Sequence, residues 1–292
     1  MNVLILSRNP ALYSTQSLIV AGRRRGHFVR VVDHIYCDLM IESRQNEVYY
    51  NNLPLRNFNA IIPRIGSTAT DYGAAVIRQF ESQNIYTTLT SDALLKARNK
   101  LTCQQLLSAQ DIGVPKTLLT NNMLLLPHML DRLGSYPMVI KLINSTQGIG
   151  VILTESKKNA ETTIEALQKL KEKFIIQKFI KEAQGADIRI FIVDGEIVAS
   201  MKRQAKPGEF RSNLHRGASS VKITPTKDEA RVALKAVKVL GLAVAGVDIL
   251  RSKNGPLVLE VNASPGLEGI EGTTGVDIAG KIIELAERNA TK

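Results

Sequence analysis

The chain has 292 residues, which is long enough for two or three small domains. Its content of 44% apolar and 22% charged residues is ordinary for a globular protein. No apolar run is long enough to span a membrane, no signal peptide is found, and Cys37 and Cys103 are too few for a disulfide framework, so we expect a cytoplasmic protein. The net charge is +11, but aromatic residues make up only 5% and no nucleic-acid motif is found. An anionic substrate or an acidic protein partner therefore explains the charge as well as nucleic acid does, and no DNA partner is expected.

The first hundred residues alternate between strand and helix patterns. In chain order, the predicted elements are the strand Val3–Ser7, the helix Ser14–Arg25, the strands Phe28–Val32 and Ala60–Pro63, and the helix Asp71–Gln83. This order is typical of a small parallel-sheet α/β domain, which we place at residues 1–97. No glycine fingerprint follows the first strand, so a dinucleotide site is not expected there.

Arg64 directly follows the predicted strand Ala60–Pro63. Open α/β sheets bind ligands at the carboxyl ends of their strands. Arg64 is therefore a candidate for binding an anionic substrate group, and an ordinary surface arginine is an equal alternative.

The middle of the chain changes pattern and carries one unusual lysine. We predict helix over Ser91–Ala109, in one piece or two, and a strand from Val114. Strands follow at Pro137–Leu142 and Val151–Thr154, then a helix at Ser156–Lys173 and a strand at Phe174–Ile180. Lys141 stands in the apolar strand Pro137–Leu142, where a lysine is costly unless its ammonium reaches water or an anion. The loop Ser-Thr-Gln-Gly148-Ile-Gly150 follows it, and its backbone N–H groups are suited to cover phosphates. Taken alone, the loop favours a plain hairpin connection, but together with Lys141 it favours a role in ATP binding.

The last third begins with a predicted hairpin, Ile188–Val193 and Glu196–Lys202, around Asp194-Gly195. Gln204–Ser220 reads as a long structureless loop, of a kind that is usually functional or disordered. We predict helices at Thr226–Leu240 and Gly275–Asn289. Gly275–Lys281 fits most of a phosphate-loop pattern, but Ile282 replaces the Ser or Thr and no strand precedes it, so we reject that site.

A second hairpin is predicted from the apolar runs Ala243–Leu250 and Leu257–Val261. Glu260 and Asn262 then point to one side, because side chains alternate along a strand. Asp248 joins them only if the loop has an odd number of residues; a two-residue loop at Asn254-Gly255 would turn its carboxylate away. Pro256 lacks the N–H that the ladder needs, so we predict a loop of three or five residues.

Two carboxylates and one amide oxygen are the ligands that suit Mg²⁺. An ordinary hairpin with polar residues on its wet face is the alternative. For Asp248 alone the two interpretations are about even, because exposed carboxylates are common. The full set, followed by Ala-Ser-Pro-Gly, favours the metal site.

The string Leu259-Glu-Val-Asn-Ala-Ser-Pro-Gly266 resembles the terminal metal motif of the ATP-grasp ligases. Candidate ligand-binding positions also fall in the family's order along nearly the whole chain: Lys100, Lys141, the Gly148/Gly150 loop, Gln177–Ile180, Asp187, Arg211–Asn213, Asp248, Glu260 and Asn262. Four strings are similar to RimK, the ligase that adds glutamates to the C-terminus of a small-subunit ribosomal protein. They are Pro63-Arg-Ile-Gly, Lys181–Arg189, Phe210-Arg-Ser-Asn-Leu-His-Arg-Gly and Asn262–Glu271.

The resemblance implies an ATP-grasp fold of two α+β lobes, a smaller lobe at residues 98–185 and a larger one at 186–292. It implies ATP contacts from Lys100, Lys141, Gly148, Gly150, Lys178, Phe179, Asp187, Arg211, Ser212 and Asn213. It implies that Asp248, Glu260 and Asn262 hold Mg²⁺ or Mn²⁺, with two ions expected. Arg203, Arg211 and Asn213 are implied in catalysis, and Arg64, Arg189, Arg216, Ser264 and Gly266 in substrate binding.

The function expected from this resemblance is ATP-dependent addition of L-glutamate to the C-terminal glutamate of a small-subunit ribosomal protein, through an acyl-phosphate and in a homo-oligomer. The resemblance leaves synthesis of poly-α-glutamate open as a further activity. A small-molecule glutamyl ligase of the same fold is one alternative, and a non-catalytic basic protein that binds ribosomes or RNA is another. Cys103 has helical spacing with Leu106 and Leu107, so we expect it in the core rather than as a nucleophile.

Overall fold

A four-stranded parallel sheet lies at the start of the chain, as the strand and helix pattern predicts. The computed structural model describes residues 1–43, 45–143 and 150–290. The spatial order of the strands is Phe28–Val32, Asn2–Leu6, Ala60–Pro63 and Tyr86–Thr87. The helices Tyr13–Arg24 and Thr70–Ser82 belong to this part of the chain. A small antiparallel sheet of Cys37–Met40, Glu47–Tyr50 and Leu53–Pro54 was not predicted.

Two helices lead out of this first segment, Ser91–Arg98 and Lys100–Ser108. Asn99 separates them, because its side chain accepts hydrogen bonds from the backbone N–H groups of Leu101 and Thr102 and so caps the second helix. Of the one or two helical pieces predicted here, the structure has two. Cys103 is buried in the core, as predicted, and burial raises the pKa of its thiol to about 12.

The central lobe is a four-stranded antiparallel sheet with its own core. Its strands lie in the order Val151–Thr154, Met138–Leu142, Phe174–Lys178 and Thr117–Leu118. The helices Leu126–Leu133 and Lys157–Lys169 supply the other half of that core. Among the described residues, the apolar side chains of this core form a cluster that is separate from the apolar clusters of the rest of the chain. The lobe is therefore a separate packing unit.

The C-terminal lobe is a five-stranded antiparallel sheet. Its strands lie in the order Ser219–Lys222, Glu196–Gln204, Ala186–Val193, Val244–Ser252 and Gly255–Asn262. The helix Lys227–Leu240 packs on it and begins at a capping box between Thr226 and Glu229. The prediction of a structureless Gln204–Ser220 loop was wrong at both ends, because the preceding strand runs to Gln204 and an edge strand begins at Ser219.

The end of the chain forms two helices, Glu268–Thr274 and Ile278–Asn289. The predicted closing helix Gly275–Asn289 is confirmed, although it begins three residues later, at Ile278, and the helix Glu268–Thr274 was not predicted. Gly275 has a φ of +69°, which ends the first helix, and the Asp277 side chain caps the second. Lys281 lies on the second helix beside Glu284 and away from the interlobe cleft described below, in agreement with the rejected phosphate-loop interpretation.

The predicted odd loop in the Val244–Ser252/Gly255–Asn262 hairpin, hereafter the terminal hairpin, was wrong. Ser252 pairs with Gly255, so the loop is only Lys253-Asn254, and Pro256 pairs with Arg251 inside the ladder. A β-bulge opposite the Asp248–Ile249 step then shifts the register by one residue. Asp248 consequently pairs with Glu260, which is the partner that a five-residue loop would have given it.

The first segment and the C-terminal lobe share their apolar interior. One cluster joins Leu4 and Leu94 to Ile190 and Val247, and a second joins Ile5 to Phe191. The central lobe instead meets the C-terminal lobe across an open cleft.

Candidate active site

The cleft between the central and C-terminal sheets, hereafter the interlobe cleft, brings together most of the predicted ligand-binding residues. The predicted residues among its lining are Lys100, Lys141, Lys178, Phe179, Asp187, Arg203, Arg211, Ser212, Asn213, Asp248 and Glu260. These residues come from both sheets and from the loop after Gln204. The fold therefore assembles one site from segments spread over about half of the chain.

One end of the interlobe cleft is apolar and carries one unsatisfied polar atom. Phe179 meets Phe210 edge to face, with ring centroids 6.2 Å apart. Gln177 is 1% exposed; its Nε2 donates to Thr117 Oγ1 at 2.9 Å, while its Oε1 has no hydrogen-bond partner among the described residues. A buried acceptor of this kind is costly unless a ligand satisfies it. An apolar slot with a free acceptor fits a nucleotide base.

Gln177 and Phe210 entered the sequence-based predictions only within longer strings, and neither was given a role of its own. A polar residue inside the apolar strand Phe174–Lys178 was the available signal for Gln177. The aromatic residue beside Arg211 in a polar loop was the available signal for Phe210.

The interlobe cleft also carries two lysines, of which Lys141 lies on the strand next to that of Gln177. Burial lowers the pKa of Lys141 to about 8, and the nearby Glu260 charge only partly offsets this effect. Burial also lowers the pKa of Lys100, whose Nζ donates to the Ile143 carbonyl oxygen at 3.1 Å. Two desolvated ammonium groups in one cleft favour a multiply charged anion such as a triphosphate.

Gly150 ends the predicted phosphate loop and directly precedes the strand Val151–Thr154. Its φ is +66°, and a Cβ there would lie 2.7 Å from Leu142 Cδ1, so a glycine is required. Gly148 lies outside the described residues, and the predicted covering role of the loop stays a prediction.

A network of two arginines and two aspartates lies on the floor of the cleft. Arg203 donates to Asp187 through Nε at 2.7 Å and through NH2 at 2.6 Å, and the same NH2 is 3.0 Å from Asp248 Oδ2. Arg189 holds Asp248 in a second bidentate pair, at 2.7 and 2.6 Å. Ser212 Oγ donates to Asp187 at 2.6 Å. The residues predicted to bind ATP, metal and substrate are thus linked in one hydrogen-bonded unit.

Burial and charge act in opposite directions on these carboxylates. Burial alone would raise the pKa of Asp248, but the Arg189 and Arg203 charges outweigh it and hold that pKa below its ordinary value. For Asp187, burial and the Asp248 charge outweigh the shared Arg203, and its pKa is raised. Asp248 is therefore the more firmly ionised of the two.

The predicted metal ligands share one face of the terminal hairpin. Asp248 is opposite Glu260, and Asn262 is the next residue on the same side of its strand. With its amide oriented to satisfy both neighbours, Asn262 donates to Glu260 Oε1 at 3.2 Å and accepts from Arg189 NH2 at 3.3 Å. No group of three or more His, Cys, Asp or Glu side chains suited to a metal converges in the part of the chain that the structure describes. Two carboxylates and an amide still fit Mg²⁺, which keeps waters and shares its shell with phosphates.

Arg211 is held by its own loop. Its Nε and NH2 donate to Glu209 at 2.9 and 2.8 Å, and its guanidinium carbon lies 5.3 Å from the centroid of the Phe210 ring. Glu209 also accepts from the backbone N–H groups of Phe210 and Arg211. Arg211 thus faces the cleft already paired with a carboxylate.

The remaining predicted substrate residues lie in different surroundings. Arg64 NH2 donates to the Pro265 carbonyl oxygen at 2.6 Å, and burial lowers the pKa of Arg64 to about 10, so it is not an ordinary surface arginine. Ser264 Oγ is buried without a hydrogen-bond partner among the described residues. Arg216 is exposed on the turn Leu214–Arg216, and Gly266 is exposed beside Pro265. Their substrate roles stay predictions.

Two lobes that enclose a cleft with lysines on one wall and carboxylates on the other define an ATP-grasp ligase. Two solved structures share this fold. The ATP-grasp ligase PsnB, complexed with a minimal precursor, is 20% identical and has a TM-score of 0.77 over 99% of this chain and 98% of that chain. The macrocyclase MdnC from Microcystis aeruginosa MRC, bound with its precursor peptide MdnA, is 16% identical and has a TM-score of 0.76 over 99% of this chain and 100% of that chain. No helix of the described residues has the length and apolar character to cross a bilayer.

The chain belongs to the RimK family: residues 97–286 match the RimK-like ATP-grasp domain and residues 1–94 match the RimK pre-ATP-grasp domain. A relative from Pseudomonas entomophila, named a probable alpha-L-glutamate ligase, is 53% identical over 99% of this chain and 96% of its own length. A relative from Azotobacter vinelandii with the same name is 52% identical over the same shares. The protein is therefore an enzyme, an ATP-dependent carboxylate–amine ligase.

Proposed function

We propose that this enzyme joins L-glutamate to the C-terminal glutamate of an acidic acceptor, and that the acceptor is a protein of the small ribosomal subunit. The relatives' names support glutamate, and the acceptor comes from the resemblance in the Phe210–Gly217 and Asn262–Glu271 strings. The net charge of +11 is suited to an acidic tail.

One observation carries the proposal: the interlobe cleft collects two desolvated lysines, an arginine–aspartate network and the predicted metal carboxylates in a single site. A carboxylate is a poor acyl donor because oxide is a poor leaving group. Such a cleft can instead position a triphosphate beside a carboxylate substrate and neutralise the charge that develops.

The reaction has two steps that need no covalent enzyme intermediate. The acceptor carboxylate attacks the γ-phosphorus of ATP, which releases ADP and forms an acyl-phosphate. The neutral amine of glutamate then attacks the acyl carbon; phosphate leaves and the nitrogen loses a proton. In this proposal Lys100, Lys141 and Arg211, which line the cleft, hold the phosphates, and the Arg189–Arg203 network keeps Asp248 ionised and oriented.

Mg²⁺, when bound by Asp248, Glu260 and Asn262, would neutralise negative charge on the phosphate oxygens. The oxygen donors of these residues and the lowered pKa of Asp248 suit this cation. Removal of the carboxylates should therefore abolish turnover.

The direct test measures ADP release with glutamate alone and then with peptides that end in glutamate. We expect ADP only when both substrates are present, with mass spectrometry showing glutamyl additions at the peptide C-terminus. Asp248→Ala and Glu260→Ala should abolish both signals. ADP formed with a small amine or acid but not with peptides would instead indicate a small-molecule ligase. RNA binding that survives both substitutions, without ADP, would indicate a non-catalytic binding protein.

The acceptor is tested separately. Ribosomal proteins incubated with enzyme, ATP and glutamate should gain glutamyl residues on one small-subunit protein. An unchanged mass for every ribosomal protein, from an enzyme that is active on peptides, would overturn the ribosomal part of the proposal.

A further inference from the structure

A second, larger cavity lies beside the interlobe cleft and has no role in the site described so far. Its volume is about 590 Å³, within the ~300–1,000 Å³ typical of small-molecule pockets. Its wall comes from the Ser67–Tyr72 segment, the end of the helix Ser91–Arg98 and the segment 260–263, which includes the predicted metal ligands Glu260 and Asn262. Lys100 and Glu260 line both cavities, so the two spaces adjoin at the metal end of the cleft.

Arg98 is the distinctive charged group in this second cavity. Its NH2 donates to the Ile65 carbonyl oxygen at 2.8 Å, and in the described parts of the chain no carboxylate forms an ion pair with it. Burial lowers the pKa of Arg98, and the charge of Glu260 offsets this only in part. A guanidinium carries five N–H donors in a planar fork, so one bond to a carbonyl leaves donors for a further acceptor.

The neighbouring charges do not duplicate Arg98. Lys96 also lines the cavity, but its Nζ lies 2.5 Å from Asp92 Oδ2 and is already paired. Asp71 and Glu260 contribute negative charge to the same wall. A carboxylate entering this space would therefore find its geometric match in the Arg98 fork.

We propose that this second cavity holds the acidic amino-acid substrate and that Arg98 binds its side-chain carboxylate. The inference rests on the proposed function and adds to it a site and a specificity-determining residue. A substrate held there lies next to Glu260 and Asn262, so its amine can reach the reacting carbon at the metal end of the cleft. An acidic side chain then pairs with Arg98, while a neutral one leaves the guanidinium desolvated and unpaired.

The test uses the whole enzyme and measures binding apart from turnover. The dissociation constant of glutamate is measured by calorimetry at saturating Mg²⁺ and a nonhydrolysable ATP analogue, for wild type, Arg98→Met, Arg98→Lys and Lys96→Met. We expect Arg98→Met to weaken glutamate binding about 10- to 100-fold, the effect of losing a charge-assisted hydrogen bond. Binding of the ATP analogue should change less than about threefold, and glutamine should bind Arg98→Met no worse than it binds wild type.

Two variants separate binding from folding. Arg98→Lys keeps a donor for the Ile65 carbonyl and a positive charge but loses the fork, so its affinity should fall between wild type and Arg98→Met while its melting temperature stays near wild type. Lys96→Met removes a charge from the same cavity and should change glutamate affinity less than about twofold, because Asp92 already neutralises it.

Equal losses of glutamate affinity in Lys96→Met and Arg98→Met would overturn the proposal. They would indicate that the overall positive charge of the cavity attracts glutamate, without a specific contact to Arg98. Unchanged affinity in Arg98→Met, or no glutamate binding to wild type, would overturn it as well. Absence of ADP formation by a wild type that binds glutamate through Arg98 would overturn only the proposed reaction.

Discussion

Replacement of Arg203 by methionine should destabilise the C-terminal lobe strongly. The side chains of Arg203, Asp187 and Asp248 are only 5%, 4% and 4% exposed, and Arg203 makes three short contacts to the two carboxylates. Loss of one partner from a buried pair leaves an uncompensated charge and costs about 3–5 kcal/mol. Asp248 keeps Arg189, so the penalty falls mainly on Asp187, and we expect a loss of about 3 kcal/mol in the free energy of unfolding.

Urea denaturation followed by circular dichroism, without nucleotide, measures this loss. Arg231→Met is the matched control, because it breaks an ion pair whose side chains are 67% and 68% exposed, and such pairs contribute only about 0–1 kcal/mol. An Arg203→Met enzyme within about 1 kcal/mol of wild type would refute the reasoning, since it would mean that the two buried carboxylates do not depend on Arg203 for their charge balance.

Three further predictions concern the cleft and the thiols. Because the Lys141 pKa is about 8, its side chain is mostly a charged ammonium below pH 8 and mostly a neutral amine above it. The dissociation constant of ATP should therefore rise by up to about tenfold per pH unit above pH 8 in wild type and change less with pH in Lys141→Met. Parallel pH profiles for the two enzymes would contradict this. Gln177→Leu should weaken ATP binding by about 1 kcal/mol, because the unpaired Oε1 is expected to accept from the base; the variant also loses the Thr117 hydrogen bond, so affinity is measured well below its melting temperature, and an unchanged affinity would exclude the contact with the base. Both Cys37 and Cys103 are buried with pKa values raised to about 12, so a thiol reagent should modify neither in the native enzyme and both in denaturant; rapid labelling of either native thiol would disprove this.

The sequence predicted the parallel sheet, the helical stretch Ser91–Ala109 and most of the residues that line the interlobe cleft, because each is encoded locally by apolar runs or a short motif, whereas the break at Asn99 was not located. The bulge that brings Asp248 opposite Glu260 was missed, since register depends on neighbouring strands as well as on the loop. The Arg189–Asp248 pair joins residues 59 positions apart, and no local pattern predicts that contact. The small sheet from Cys37 to Pro54 was missed because its strands have only two to four residues.

The contacts of the Pro63–Gly66 segment have a consequence for engineering. Arg64 reaches the Pro265 carbonyl, Arg98 reaches the Ile65 carbonyl, and Ile5 shares a core with Phe191. The first 97 residues thus pack against the C-terminal sheet and contact the 263–267 loop, which follows the predicted metal ligands. A chimera that exchanges residues 1–97 between homologues would have to import the matching 263–267 loop and sheet face, and a fragment that begins at residue 98 would expose bare apolar surface and precipitate.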